Sequence, residues 1–118
     1  MKKTEIIKSI VFSTDKGIVL AIIRGDQRIS IEKLAKVIGT TKIRLADPQT
    51  VQEKTGYGVG GVPPIGHNNP EIRYLIDKKV LEKNRVYAGG GDKKTQLHIQ
   101  VADILKLVHS KVAQIAIS

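Results

Sequence analysis

Glu5-Ile-Ile-Lys-Ser-Ile-Val-Phe-Ser-Thr-Asp-Lys-Gly-Ile-Val-Leu-Ala-Ile-Ile23 is the stretch that decides the fold. Over residues 5–13 the side chains alternate, with Ile6, Lys8, Ile10 and Phe12 on one face and Ile7, Ser9, Val11 and Ser13 on the other, the period of a strand. Asp15-Lys16-Gly17 is a turn signal. Residues 18–23 are apolar on both faces, as a strand in the middle of a covered sheet must be. The two runs predict a hairpin whose second strand is central. Lys8 points the same way as Ile6, Ile10 and Phe12, and two readings of it stand. Its stem snorkels at an edge, or its ammonium is partly desolvated and faces a ligand's negative charge or a developing oxyanion.

Working outward, Gly25-Asp26 turns the chain and Gln27 to Ile29 predicts a third, short strand. Ser30 can cap a helix over residues 31–38, with Ile31, Leu34, Ala35, Val37 and Ile38 as its buried stripe and Gly39 ending it. Residues 42–46 predict a short strand, and Asp47-Pro48 opens a second, polar helix that Gly56 can end. Further strands are expected over residues 72–76, 86–88, 95–100 and 111–117, the last with Val112, Ile115 and Ile117 as its apolar residues. Asp77 reads as the cap of a single helical turn over residues 78–82. A helix is expected over residues 101–109, with Ile104, Leu105 and Val108 inward. Hairpins and short helices at this length predict one domain, residues 1–118. Its class is α+β, with a mixed, mostly antiparallel or barrel-like sheet flanked by short helices.

Thr55-Gly-Tyr-Gly-Val-Gly-Gly-Val-Pro-Pro-Ile-Gly-His67 holds five of the eleven glycines and two of the four prolines. Such a segment holds one shape and admits close approach to its backbone, and Tyr57, Val59, Val62 and Ile65 give it side chains that can pack. It is not a P-loop, because no Gly-Lys-Ser/Thr follows. It is not a dinucleotide fingerprint either, because Pro63-Pro64 stands where a helix should open. His67, His98 and His109 lack close metal-ligand spacing, and no local signature supports a nucleophilic triad.

With no cysteine there is neither a disulfide framework nor a thiolate metal site. No apolar run approaches a membrane span and no signal-peptide pattern opens the chain, so no membrane partner and a cytoplasmic location are expected. Twenty Lys and Arg against eleven Asp and Glu give a net charge of +9. That charge suits a polyanion or an anionic small molecule, and equally a solvated Lys-rich surface. Only four residues are Phe or Tyr, which argues against a run of base-stacking aromatics. Lys78, Lys79, Lys83, Arg85, Lys93 and Lys94 form a basic segment that fits a phosphate backbone or a plain solvated face.

These pieces resemble the YbaK / prolyl-tRNA-synthetase-associated family of aminoacyl-tRNA editing deacylases. The likeness is carried in order by the Lys8-bearing strand, by Arg24-Gly-Asp-Gln-Arg28 with Leu34-Ala35, and by Arg44-Leu-Ala-Asp-Pro48. It continues through Thr55-Gly-Tyr57, Gly60-Gly-Val-Pro-Pro-Ile-Gly66 and Val86-Tyr-Ala-Gly-Gly-Gly-Asp92. The resemblance implies hydrolysis of the ester of a mischarged aminoacyl-tRNA, with loop amides holding the carbonyl and a substrate hydroxyl assisting. It implies catalytic roles for Lys8, Gly60 and Gly61. It also implies substrate contacts from Tyr57, Val62, Pro63, Pro64, Gly66, His67, Gly89, Gly90 and Gln96. No cofactor or metal is implied. The implied partners are a tRNA acceptor end and an aminoacyl-tRNA synthetase, with the chain a monomer or weak homodimer. Family members carry a helix-and-strand unit before the Lys strand, whereas this sequence starts almost at Lys8. The pocket is therefore expected to be open, differently walled or completed by a partner, and a non-catalytic module binding tRNA or a synthetase is the alternative. Pro63 stands where many members have serine, and Gln96 where some have an acidic residue.

Overall fold

The computed structural model describes residues 3–59, 61–65, 67, 69–89, 96–108 and 111–117. Strands β1 (Ile7–Thr14) and β2 (Gly17–Arg24) form the expected hairpin, antiparallel from Ile7 against Arg24 to Thr14 against Gly17. The Thr14 hydroxyl tightens the turn by accepting from the Lys16 amide (2.9 Å) and donating to Gly17 O (2.9 Å). β3 (Ile43–Leu45) pairs antiparallel with the end of β1. On the other side, β4 (Arg73–Asp77) lies parallel to β2, and β7 (Lys111–Ala113) parallel to β4. The sheet order is β3-β1-β2-β4-β7, so β2 is the middle strand and the sheet is mixed. β5 (Arg85–Gly89) and β6 (Gln96–Gln100) make a separate antiparallel ribbon, joined to the start of β1 by a parallel bridge between Ile6 and Tyr87.

Both sheet faces are buried, which is why β2 is apolar on both. Ile7, Val11, Leu20, Ile22 and Ile76 pack on one face with Val51, Val62, Val80, Val86 and Ile104. Phe12, Val19, Ala21, Ile23 and Leu75 pack on the other with Leu34, Ile38 and Ile115. Helix α1 (Ile31–Ile38) covers the second face, and its ends are those expected. The Ser30 hydroxyl accepts from the Lys33 amide (3.2 Å), and Gly39, at φ 82°, donates to Ala35 O (2.8 Å). Helix α2 (Pro48–Thr55) is capped by Asp47, which accepts from the Thr50 amide (2.8 Å), and by Gly56 at φ 81°. Each such N-cap is worth about 1 kcal/mol. Helix α3 (Val101–Val108) puts Ile104 and Leu105 into the first face; His109 lies outside the described residues.

Three expectations fail, each for a non-local reason. Residues 27–29 are not a strand: their neighbourhood pairs with the distant C-terminus, through a bridge between Ile29 and Ala116 and a bond from the Ser30 amide to Ile115 O (2.8 Å). β7 ends at Ala113, and Val112 and Ile117 are exposed, because the edge strand has a partner on one side only and the chain then leaves the sheet. What draws it away is Asp77, whose buried carboxylate accepts from the amides of Ile115 (2.9 Å) and Ala116 (3.0 Å) as well as from Lys79 (3.0 Å). Ile31, expected in the helix stripe, is also exposed, since Leu34 and Ile38 suffice to cover the face.

Candidate functional site

The Gly/Pro segment packs into the body of the protein. Gly61, Val62, Pro63 and Pro64 are all buried, and Tyr57, Val62 and Ile65 join the first hydrophobic face. Thr55, the last residue of α2, locks the entry: its buried hydroxyl donates to Val51 O (2.7 Å) and accepts from the Tyr57 amide (3.1 Å). The Gly61 amide is engaged within the loop, donating to Gly58 O (3.0 Å). Pro63 and Pro64 carry no amide hydrogen. Between Gly61 and Ile65, the remaining amides are those of Val62 and Ile65. Gly60, expected to be catalytic, and Gly66, expected to contact the substrate, lie outside the described residues.

His67 closes the loop against two tyrosines. Its Nδ1 is 2.8 Å from the Tyr74 hydroxyl, its ring stacks on Tyr74 (5.7 Å between centroids, 17°) and it meets Tyr57 edge-on (5.8 Å, 77°). Burial pushes the imidazole below its ordinary range, and the nearby Pro63 carbonyl partly offsets this. Burial pushes the Tyr74 phenol up. His67 Nε2 is buried with no hydrogen-bond partner among the described residues. A neutral ring held this way is a positioned polar group beside the loop.

Lys8 lies on the other sheet face. It pairs with Ile23 and shares its side of β1 with Ile10 and Phe12, all three of which pack toward α1, whereas Val62 packs on the opposite face. Its ammonium is half-buried and donates to Gln27 O (2.6 Å). The bridge from Ile6 to Tyr87 places Tyr87 on Lys8's side, since bridged residues share a side and alternate residues of a strand do too. Tyr87 in turn stacks on His98. Gly89 and Gln96 pair at the far end of the same ribbon, and Gly90 lies outside the described residues. The expected site residues thus fall into two groups: the loop with Tyr57 and His67, and Lys8 beside the β5–β6 ribbon. The sequence reading named Tyr87 and His98 separately and did not pair them. The register of β5 against β6 sets residue 87 directly opposite residue 98.

Cations gather at one further place. A cleft of about 370 Å³ is lined by Lys33, Lys78 and Lys79 together with Asp77, Glu82, Gln27, Gln114 and Ala116. Lys33 donates to Ala116 O (3.0 Å), and Gln27 Oε1 is buried with no partner among the described residues. Lys78, Lys79, Lys83 and Arg85 are exposed, while Lys93 and Lys94 lie outside the described residues. Among the described residues no group of three His, Cys, Asp or Glu stands ready for a metal ion, and no helix is long and apolar enough to cross a membrane.

The sequence model of the aminoacyl-tRNA editing domain matches residues 1–107. The chain belongs to the aminoacyl-tRNA editing domain family. Editing domains of this kind recur in longer relatives. A proline–tRNA ligase of Desulforamulus reducens is 40% identical over 77 residues, which is 65% of this chain and 13% of the ligase. The chain is thus far shorter than such ligases. A protein of Enterococcus faecalis named "Putative Cys-tRNA(Pro)/Cys-tRNA(Cys) deacylase EbsC" is 29% identical over 116 residues, covering 98% of this chain and 70% of that one. A solved structure described as "a putative trans-editing enzyme for prolyl tRNA synthetase" superposes with a TM-score of 0.93 at 32% identity, covering 99% of this chain and 73% of the other. The mixed sheet with few short helices is therefore the editing-domain fold.

Proposed function

We propose that the chain hydrolyses the ester linking an amino acid to the 3′ end of a mischarged tRNA. One observation carries this reading: the editing-domain match over residues 1–107 spans both the Lys8 strand and the Gly61–Pro64 loop. In the reaction, water adds to the ester carbonyl carbon and the negative charge gathers on its oxygen. The bond to the ribose oxygen then breaks, that oxygen takes a proton, and free amino acid and tRNA are released. The amides of Val62 and Ile65 are the loop's candidates for holding the oxyanion. A donor there that is fixed in advance by a buried loop costs no reorganisation. The neighbouring ribose hydroxyl of the substrate assists the water, so no protein nucleophile is needed. Lys8 positions the terminal nucleotide by charge. The named deacylase relative points to cysteine on tRNA(Pro) as the first substrate to try.

A second reading has its own support: Lys8 is tied to Gln27 O and lies on the face away from Val62. On that reading the chain binds tRNA ends, or a synthetase, without turnover. Single-turnover deacylation of Cys-tRNA(Pro) by wild type and Lys8→Ala separates the two. Losing a charge-assisted contact to the substrate is expected to lower kcat/KM by about 10- to 100-fold. Unchanged activity in Lys8→Ala removes its role, and salt-sensitive binding without release of the amino acid favours the binding module.

A further inference from the structure

The side of the molecule that carries Lys8 also carries an aromatic stack with no role in the core. Tyr87 and His98 are direct partners across the β5–β6 ribbon, with ring centroids 4.4 Å apart and planes 8° from parallel. On the opposite side of the same strand, Val86 and Ala88 are buried in the core. His98 is exposed and Tyr87 half-buried. The chain has only four Phe and Tyr, so placing one of them under an exposed imidazole, instead of in a core built from Ile, Val and Leu, calls for a purpose. β6 is the strand of the ribbon away from β1, and its His98 is exposed. The bridge to Ile6 fixes the stack beside the start of β1. From strand spacing and rise, the Lys8 backbone is then roughly 8 Å from that of Tyr87. A flat ring surface one strand away from an ammonium fits a single unpaired nucleotide, with the base on the ring and its phosphate toward the charge.

We infer that Tyr87 and His98 form the stacking platform for the terminal base of the tRNA 3′ end, with Lys8 drawing the adjoining phosphate. This rests on the editing reading and adds to it the side from which the nucleotide is held.

The test uses the full chain and an acceptor-stem hairpin whose terminal adenine is replaced by 2-aminopurine, with anisotropy reporting binding and fluorescence reporting stacking. Wild type is expected to bind and quench. His98→Ala, at an exposed position, is expected to bind roughly tenfold more weakly and to leave the probe bright. His98→Phe, which keeps a ring but no imidazole, is expected to restore quenching. Binding without quenching in the wild type, or undiminished quenching in His98→Ala, overturns the platform while leaving the editing reading intact. Failure of the wild type to bind the hairpin overturns both.

Discussion

Half-buried His67 and buried Asp77 are two polar residues with opposite consequences for stability. His67 is held below its ordinary value of 6.5, chiefly by burial. The unfolded chain therefore takes up its proton first as the pH falls, and folding loses stability from about the unfolded value downward until the folded ring also protonates. Above that window the imidazole is neutral in both states and contributes no slope. Urea midpoints measured from pH 7.5 to 5 should fall for wild type and fall less for His67→Phe. Equal slopes would show that His67 is not the group responsible. Asp77 acts through geometry: one carboxylate serves the amides of Lys79, Ile115 and Ala116. Asp77→Ala strands buried donors and should cost about 2–5 kcal/mol by urea denaturation. Asp77→Asn should cost less, since its amide oxygen can still accept from residues 115 and 116. The sequence revealed only the cap on the following turn. The other two bonds join residues nearly forty positions apart, and no local pattern encodes that.

Elements defined by local chemistry came out as read. Ser30 and Gly39 bracket α1, and Asp47, Pro48 and Gly56 bracket α2, because a cap is a contract between residues three or four apart. Elements defined by distant partners did not. Residues 27–29 look like a strand but find a single bridge, and residues 114–117 look like a strand but are pulled out of the sheet. The two glycines nearest these elements differ in kind. Gly39 sits at φ 82°, and among the described residues a Cβ there would meet only Lys16 Nζ at 3.5 Å, so its requirement is conformational. Gly39→Ala should cost about 1–2 kcal/mol, lowering the urea midpoint with an unchanged m-value. An unchanged midpoint would mean that the helix end relaxes into another cap. Gly25 is a matter of space: a Cβ would stand 3.0 Å from Lys3 O and 3.1 Å from Ile6 O, where the entry to β1 folds over the end of β2. That close approach holds the start of β1 against β2, and the bridge at Ile6 joins the same segment to the ribbon carrying Tyr87 and His98.

At the scale of the whole molecule, a single mixed sheet separates two sets of candidate functional groups. The alternation in β1 made the facing of Lys8 legible, because Ile10 and Phe12 declare their side. It did not show that the loop packs on the other side, since a Gly/Pro segment carries no periodicity to orient it. The net charge of +9 suits a tRNA end, and the editing-domain match over residues 1–107 supplies the chemistry to test. The most direct measurement is single-turnover release of amino acid from a panel of mischarged tRNAs by the wild-type chain. The account predicts release above the uncatalysed rate for at least one ester-linked substrate. It also predicts none from the same tRNA carrying the amino acid through a 3′-amide, although that analogue should bind. Background rates across the whole panel, with binding intact, would contradict it.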